Sequence, residues 1–167
     1  MSNHKAGIEL EKKFLIEYPD LEDISKYTPI KYEIEQIYLI SEVGSHRIRK
    51  RSHFGIPTYF ETLKVRITES KCHEYEDVIT EPEYEQLKLA ADPKLHPIYK
   101  DRYVFSYGGK VLELDVFPFW DDKAFLEIEL ESEDDEYTIP PEIRIIEDVS
   151  DNKEYKNRHL AKKNDNC

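Results

Sequence analysis

The chain has 167 residues, of which 36% are charged, and its 36 acidic and 24 basic side chains give a net charge of −12. This length predicts a single domain spanning residues 1–167, and the acidic balance argues against general electrostatic binding of nucleic acid or of a membrane surface. Two cysteines, an N-terminus unlike a signal peptide and the absence of a long apolar run predict a cytoplasmic protein without a disulfide framework or a membrane-spanning helix.

Alternation of apolar and charged residues predicts that most of the chain forms β-strands. The first strand is predicted at residues 8–16, IELEKKFLI, and one or two helical turns follow in 19–27. Further strands are predicted at 31–40, 45–52, 58–68, 73–79, 98–107, 110–119 and 124–132, with glycine at several hairpin turns. About eight strands joined mostly by hairpins indicate a mainly β (α+β) fold whose antiparallel sheet curls or closes.

Three helices are predicted beside the strands. Residues 80–92 change from period two to helical spacing, and Thr80 with Glu83 forms a capping box at the start of this helix. Short helices are also expected around 140–146 and from about Lys153 to Lys162.

One face of each predicted strand is apolar and the other is charged. The charged faces together are close to electrical balance, and they carry Lys13, Arg47, Arg49, Arg51, Lys64, Arg66, Lys100, Arg102, Glu9, Glu11, Glu74, Glu76, Glu113, Asp115, Glu127, Glu129 and Glu131. Such a face is either the solvated side of an ordinary sheet, with weak cross-strand ion pairs, or the hydrated lining of a closed sheet. In a lining, arginine and lysine would bind phosphate oxygens and the carboxylates would bind Mg²⁺ or Mn²⁺. A polyphosphate chelated to a divalent metal needs both.

The order of these residues resembles the CYTH family, also called the triphosphate tunnel metalloenzymes. The family's N-terminal motif is similar to Glu9-x-Glu11-x-Lys13, and the later motifs are similar to Arg47-x-Arg49, Lys64-x-Arg66, Glu74-x-Glu76, Lys100-x-Arg102, Glu113-x-Asp115 and Glu127-x-Glu129. The tail DNKEYKNRHLA also resembles the family's ending, although Glu154 stands where relatives often carry a basic residue.

The resemblance implies a closed eight-stranded antiparallel β-barrel with a charged interior and a few flanking helices. The interior would hold a small triphosphate and Mg²⁺ or Mn²⁺. Catalytic roles are implied for Glu9, Glu11, Lys13 and Glu129, and metal binding for Glu9, Glu11, Asp115, Glu127 and Glu129. Phosphate binding is implied for Lys13, Arg47, Arg49, Lys64, Arg66, Lys100, Arg102 and Lys153.

The expected function is metal-dependent hydrolysis of inorganic tripolyphosphate or of a small organic triphosphate, by a monomer or a homodimer. One alternative is a class IV adenylyl cyclase that makes cyclic AMP from ATP. Others are a non-catalytic module that binds polyphosphate and a salt-bridged β-domain for protein interaction.

Overall fold

The computed structural model describes residues 5–68 and 72–155, apart from the side chains of residues 5–9, Cys72 and Lys153. The fold is mainly β, with antiparallel pairing and two α-helices, α1 (Leu21–Ile24) and α2 (Glu81–Leu87). The strands are β1 (Lys5–Glu9), β2 (Glu11–Glu17), β3 (Ile30–Tyr38), β4 (Ser45–His53), β5 (Ile56–Arg66), β6 (Cys72–Ile79), β7 (Ile98–Tyr107), β8 (Lys110–Val116), β9 (Lys123–Glu129) and β10 (Ile145–Asp148). Short 3₁₀ helices span Ser25–Tyr27, Lys88–Ala90 and Lys153–Tyr155.

The predicted strands and the helix in 80–92 are confirmed. That helix begins with the predicted capping box, because Thr80 Oγ1 accepts from Glu83 N and Thr80 N donates to Glu83 Oε1, each at 3.2 Å. The predicted first strand is divided into β1 and β2 at Leu10.

The helix predicted around 140–146 is wrong. Ile143 N donates to Pro140 O at 3.0 Å in a turn, and Ile145–Asp148 then forms β10 along the edge of β2. The two successive prolines oppose a helix, since neither donates a backbone hydrogen bond, and the isoleucines that follow favour an extended chain. Of the helix predicted from Lys153 to Lys162, the part up to Tyr155 is a 3₁₀ turn, and the remainder lies outside the described residues.

The chain folds into two compact units. Among the described residues, the first comprises 5–9, 34–68, 72–99 and 152–155. Its strands lie in the order β1-β6-β5-β4-β3. Helix α2 covers the apolar face of these strands, where Leu39, Ile48, Ile79 and Tyr84 form a buried cluster.

The second unit comprises residues 10–33 and 100–151. Its strands lie in the order β7-β8-β9-β2-β10. The apolar side chains of the first strand, Phe14 and Ile16, pack with Leu112, Leu114, Leu126 and Ile128 in the core of this unit. In the part of the chain that the structure describes, no helix is both long and apolar enough to cross a bilayer.

Candidate functional site

The register of the second unit places opposite charges on one face of its strands. Lys13 of β2 lies across from Glu127 of β9, which lies across from Glu113 of β8. In the next row, Asp115 of β8 lies across from Arg102 of β7. Because side chains alternate along a strand, these residues all face away from the apolar core that holds their neighbours.

Asp115 is the centre of this charged face. Its carboxylate accepts hydrogen bonds from Arg102 Nε at 2.7 Å, Arg102 Nη2 at 2.8 Å and Lys100 Nζ at 2.8 Å. Arg102 also bridges to the next carboxylate on β8, with its Nη1 atom 2.6 Å from Glu113 Oε2. We refer to Lys13, Lys100, Arg102, Glu113, Asp115 and Glu127 as the charged cluster.

Burial and neighbouring charges shift the pKa values within the charged cluster. Burial by itself would raise the pKa of Asp115, but Arg102 and Lys100 outweigh it and hold that pKa below its ordinary value. Burial, with Arg102 close by, lowers the pKa of Lys100 to about 7. Burial also raises the pKa of Glu113, against the influence of Arg102. Burial in the cluster thus disfavours the charged form of each group, and the oppositely charged neighbours offset this effect to different extents.

Lys13 is held between a carboxylate and an aromatic ring. Its Nζ atom is 3.8 Å from Glu127 Oε1 and 4.1 Å from the centroid of Phe125. Burial opposes the ionisation of Glu127, but Lys13 and Arg102 outweigh it and lower the pKa of Glu127. Phe125 packs edge-on against Phe117, with ring centroids 5.5 Å apart. Phe125 of β9 thus connects the charged cluster to Phe117, which directly follows β8.

Glu11 and Glu129 lie directly across from each other on β2 and β9. Glu129 is exposed and Glu11 is half-buried. Two carboxylates in this position repel each other and gain from a shared cation.

A second charged face lies on β4, β5 and β6 of the first unit. Arg49 Nη2 is 3.8 Å from Glu76 Oε2, and Lys64 Nζ is 3.6 Å from Glu74 Oε2. Thr62, which lies across from Arg47, donates its hydroxyl to Glu76 Oε2 at 3.3 Å. We refer to Arg47, Arg49 and Lys64 as the basic face. Glu74 and Glu76 of β6 thus lie beside cations of this face.

Arg66 is more exposed to solvent than the other predicted phosphate-binding residues whose side chains the structure describes. It is exposed at the end of β5, and its Nη1 atom donates to Thr68 O at 3.1 Å. The side chains of two further predicted site residues, Glu9 of β1 and Lys153 in the tail, lie outside the described residues.

The described part of the chain contains no group of three or more histidine, cysteine, aspartate or glutamate side chains arranged to hold a metal ion. The predicted metal ligands are instead distributed. Glu11 and Glu129 form one opposed pair, Glu127 is paired with Lys13, and Asp115 is paired with two cations.

Glu113 and Phe125, on the charged face of the second unit, were not among the predicted site residues, and neither was the buried Gln36 of β3. Glu113 belongs to the Glu-x-Asp motif on β8, and its spacing could have identified it. Phe125 alternates with Glu127 and Glu129, so the period-two pattern also placed it on the charged face. Gln36 was not predicted because Glu33 and Glu35 indicate that the opposite face of β3 is the charged one.

Comparison with known proteins identifies solved relatives. No protein-family model matches the chain, and no curated protein matches it. Two crystal structures of NE1496 match it, one describing a hypothetical protein and the other an inorganic triphosphatase, at 32% and 31% identity. Each match has a TM-score of 0.56 and covers 92% of this chain and 97% of NE1496.

Two more distant structures share the fold. PH1012 from Pyrococcus horikoshii OT3 is 22% identical, with a TM-score of 0.55 over 75% of this chain and 79% of its own. A Bacillus halodurans protein assigned provisionally as an adenylate cyclase is 15% identical, with a TM-score of 0.55 over 77% of this chain and 83% of its own. Because NE1496 matches nearly the whole chain at more than 30% identity, and because the ordered charged motifs lie on the strands that the resemblance implied, the chain belongs to the CYTH family, the triphosphate tunnel metalloenzymes.

Proposed function

We propose that the protein is a divalent-metal-dependent triphosphatase that hydrolyses a phosphoanhydride bond of inorganic tripolyphosphate or of a small organic triphosphate. The observation that carries the proposal is the charged cluster, in which cations on β7 and β2 flank carboxylates on β8 and β9, largely shielded from water. The description of the 31% identical NE1496 as an inorganic triphosphatase supports the same activity.

The cations of the charged cluster suit a ligand with several phosphate groups. Lys13, Lys100 and Arg102 present ammonium and guanidinium groups on one face of the second unit. On the first unit, Arg47, Arg49 and Lys64 form the basic face. Phosphoryl transfer depends mainly on holding the phosphates in position and on neutralising charge on their oxygens. In the proposal these side chains do both, with Arg66 and Lys153 as further phosphate contacts.

The cations of the charged cluster are paired with carboxylates, which gives a reason for phosphate binding to require a metal ion. Lys100, Arg102 and Lys13 each lie beside a carboxylate, so a polyanion must compete with Asp115, Glu113 and Glu127 for them. A divalent cation bound to the carboxylates would remove that competition and so strengthen the grip on phosphate.

The donor set fits Mg²⁺ or Mn²⁺. Magnesium is usually held by one or two carboxylates together with water and substrate phosphate oxygens, rather than by a complete protein cage. The opposed carboxylates on β2, β8 and β9 offer oxygens in this way. In the proposal, Glu9, Glu11, Asp115, Glu127 and Glu129 hold the ion, whose charge stabilises negative charge on the phosphate oxygens.

The closed eight-stranded barrel belongs to this proposal. The resemblance of the ordered charged motifs to those of the CYTH family supports it.

A substrate panel tests the activity. Purified protein is incubated with tripolyphosphate, thiamine triphosphate or ATP, in the presence of Mg²⁺ or Mn²⁺, and both phosphate and cyclic AMP are measured. We expect phosphate release that EDTA abolishes and that added metal restores. Cyclic AMP as the main product from ATP would replace the proposal with a cyclase, and binding without turnover would replace it with a non-catalytic polyphosphate-binding module.

A further inference from the structure

The side chain of Gln36 on β3 is fully buried, and neither its Oε1 nor its Nε2 atom has a hydrogen-bond partner among the described residues. A primary amide can donate two hydrogen bonds and accept two. Leaving all of them unmade in a buried position destabilises the folded protein, and such a group calls for an explanation.

The packing of its neighbours shows which face of β3 carries Gln36. Ile37 and Leu39 pack beside Ile48 and Tyr84 under α2. Because side chains alternate along a strand, Gln36 points to the opposite face. On β4, Arg49 follows the buried Ile48 and therefore also faces away from α2. Gln36 and the basic face thus share one side of this sheet.

The position along the strands brings Gln36 close to one arginine in particular. Strands β3 and β4 are neighbours joined by a short turn, and Leu39 N donates to His46 O at 2.9 Å. Counting three residues back along β3 and three forward along β4, as an antiparallel pair requires, places Gln36 across from Arg49. Arg49 is itself 8% exposed.

We propose that Gln36 is a further substrate-binding residue, whose Nε2 atom donates a hydrogen bond to an oxygen of a phosphate group held by Arg49. This inference rests on the proposed function. An ionised triphosphate offers only acceptors, so the amide nitrogen is the atom that contacts it. The amide adds a directed donor without adding another charge to the basic face, where Arg49 lies beside Glu76 and Lys64 beside Glu74.

The variant Gln36→Leu tests the proposal, because leucine fills a similar volume but makes no hydrogen bond. We expect kcat/KM for tripolyphosphate with Mg²⁺ to fall about tenfold to hundredfold, mainly through KM, as for a lost hydrogen bond to a charged group. The melting temperature of the ligand-free variant should equal or exceed that of the wild type, because the buried amide is removed. Gln36→Glu, which replaces the donor with a negative charge, should lower kcat/KM at least as much.

The matched control is Gln86→Leu, at an exposed glutamine of α2, which should leave kcat/KM unchanged. If Gln36→Leu does not fold, Gln36→Met replaces it in the same comparison. A kcat/KM within twofold of wild type, in a Gln36 variant that folds, overturns the inference and leaves the proposed function standing. If the wild type hydrolyses nothing, the proposed function fails separately, and calorimetric binding of tripolyphosphate replaces KM as the readout for Gln36.

Discussion

Lys100 and Asp115 form a buried ion pair, in which the Lys100 Nζ atom lies 2.8 Å from Asp115 Oδ2 and both side chains are almost inaccessible to water. Arg102 shares the same carboxylate through two further hydrogen bonds. The arrangement holds two cations at defined positions around one carboxylate.

Replacing Asp115 with asparagine should strongly destabilise the protein. The change leaves Lys100 and Arg102 buried beside a neutral side chain, and breaking one side of a buried ion pair costs about 3–5 kcal/mol. Urea unfolding in metal-free buffer measures the free energy of unfolding. Asp101→Asn is the control, because its 3.8 Å pair with Lys31 is largely exposed and should contribute less than about 1 kcal/mol. An Asp115→Asn protein as stable as this control would contradict the prediction.

Replacing Gly44 with alanine should destabilise the turn between β3 and β4. Gly44 has φ of +64°, and a Cβ atom there would clash with the carbonyl oxygen of Lys64. Gly55 offers a matched comparison, because its φ of +76° is similar but a Cβ atom would meet nothing within 4 Å. Gly55→Ala should cost about 1–2 kcal/mol from the backbone conformation alone, and Gly44→Ala more. Equal unfolding free energies for the two variants would show that the clash with Lys64 has no effect.

The contacts of Glu142 should make stability depend on acid pH. Lys26 and Tyr27 hydrogen-bond to this carboxylate and lower its pKa from 4.5 to about 2. Since the pKa of the folded state is the lower one, these contacts contribute stability above about pH 4.5 and lose that contribution as the pH falls towards 2. The melting temperature of Glu142→Gln should therefore lie below that of the wild type at pH 6, and the two should converge near pH 2.

Tyr27→Phe provides the companion measurement for Glu142. It removes the 2.6 Å hydrogen bond from the Tyr27 hydroxyl and leaves Lys26 in place. The difference from wild type should be smaller and should narrow in the same pH range. A difference that stays constant from pH 6 to pH 2 would rule out Glu142 as its source.

Arg49→Ala should weaken substrate use without unfolding the protein. If Arg49 binds phosphate, kcat/KM for tripolyphosphate should fall about tenfold to hundredfold, as expected for a lost charge-assisted hydrogen bond. Arg144→Ala removes an arginine whose side chain is 83% exposed on the second unit, and should leave kcat/KM unchanged. Circular dichroism checks that both variants fold. Equal activities of the two variants would remove Arg49 from the site.

Much of the strand pattern could be predicted because alternation is a local property. The predicted strand 98–107 has the bounds observed for β7, and the capping box at Thr80 is present as expected. The segment after Pro140 was misassigned because its extended form depends on pairing with β2, a strand more than a hundred residues earlier in the chain. Short segments of this kind take their conformation from partners that a local pattern does not include.

Gln36 shows that a local sequence pattern is also insufficient to predict every candidate site residue. Its polarity is visible in the sequence, but the strand also carries Glu33 and Glu35 on its other face. The Glu35 carboxylate accepts a hydrogen bond from the Tyr84 hydroxyl at 2.8 Å, and this contact connects β3 to α2. Burial, rather than residue type, distinguishes the two faces of β3.

The sequence by itself determined which side chains share a face of each strand, since successive residues of a strand point to opposite sides. It also determined that the charged faces carry cations and carboxylates in nearly equal measure. Only the tertiary structure decided which charges meet: Asp115 with Lys100 and Arg102, and Lys13 with Glu127. It also left Arg66 at an exposed strand end. The physical reason is that strand register, which sets these partners, comes from hairpin geometry and long-range pairing rather than from any single segment.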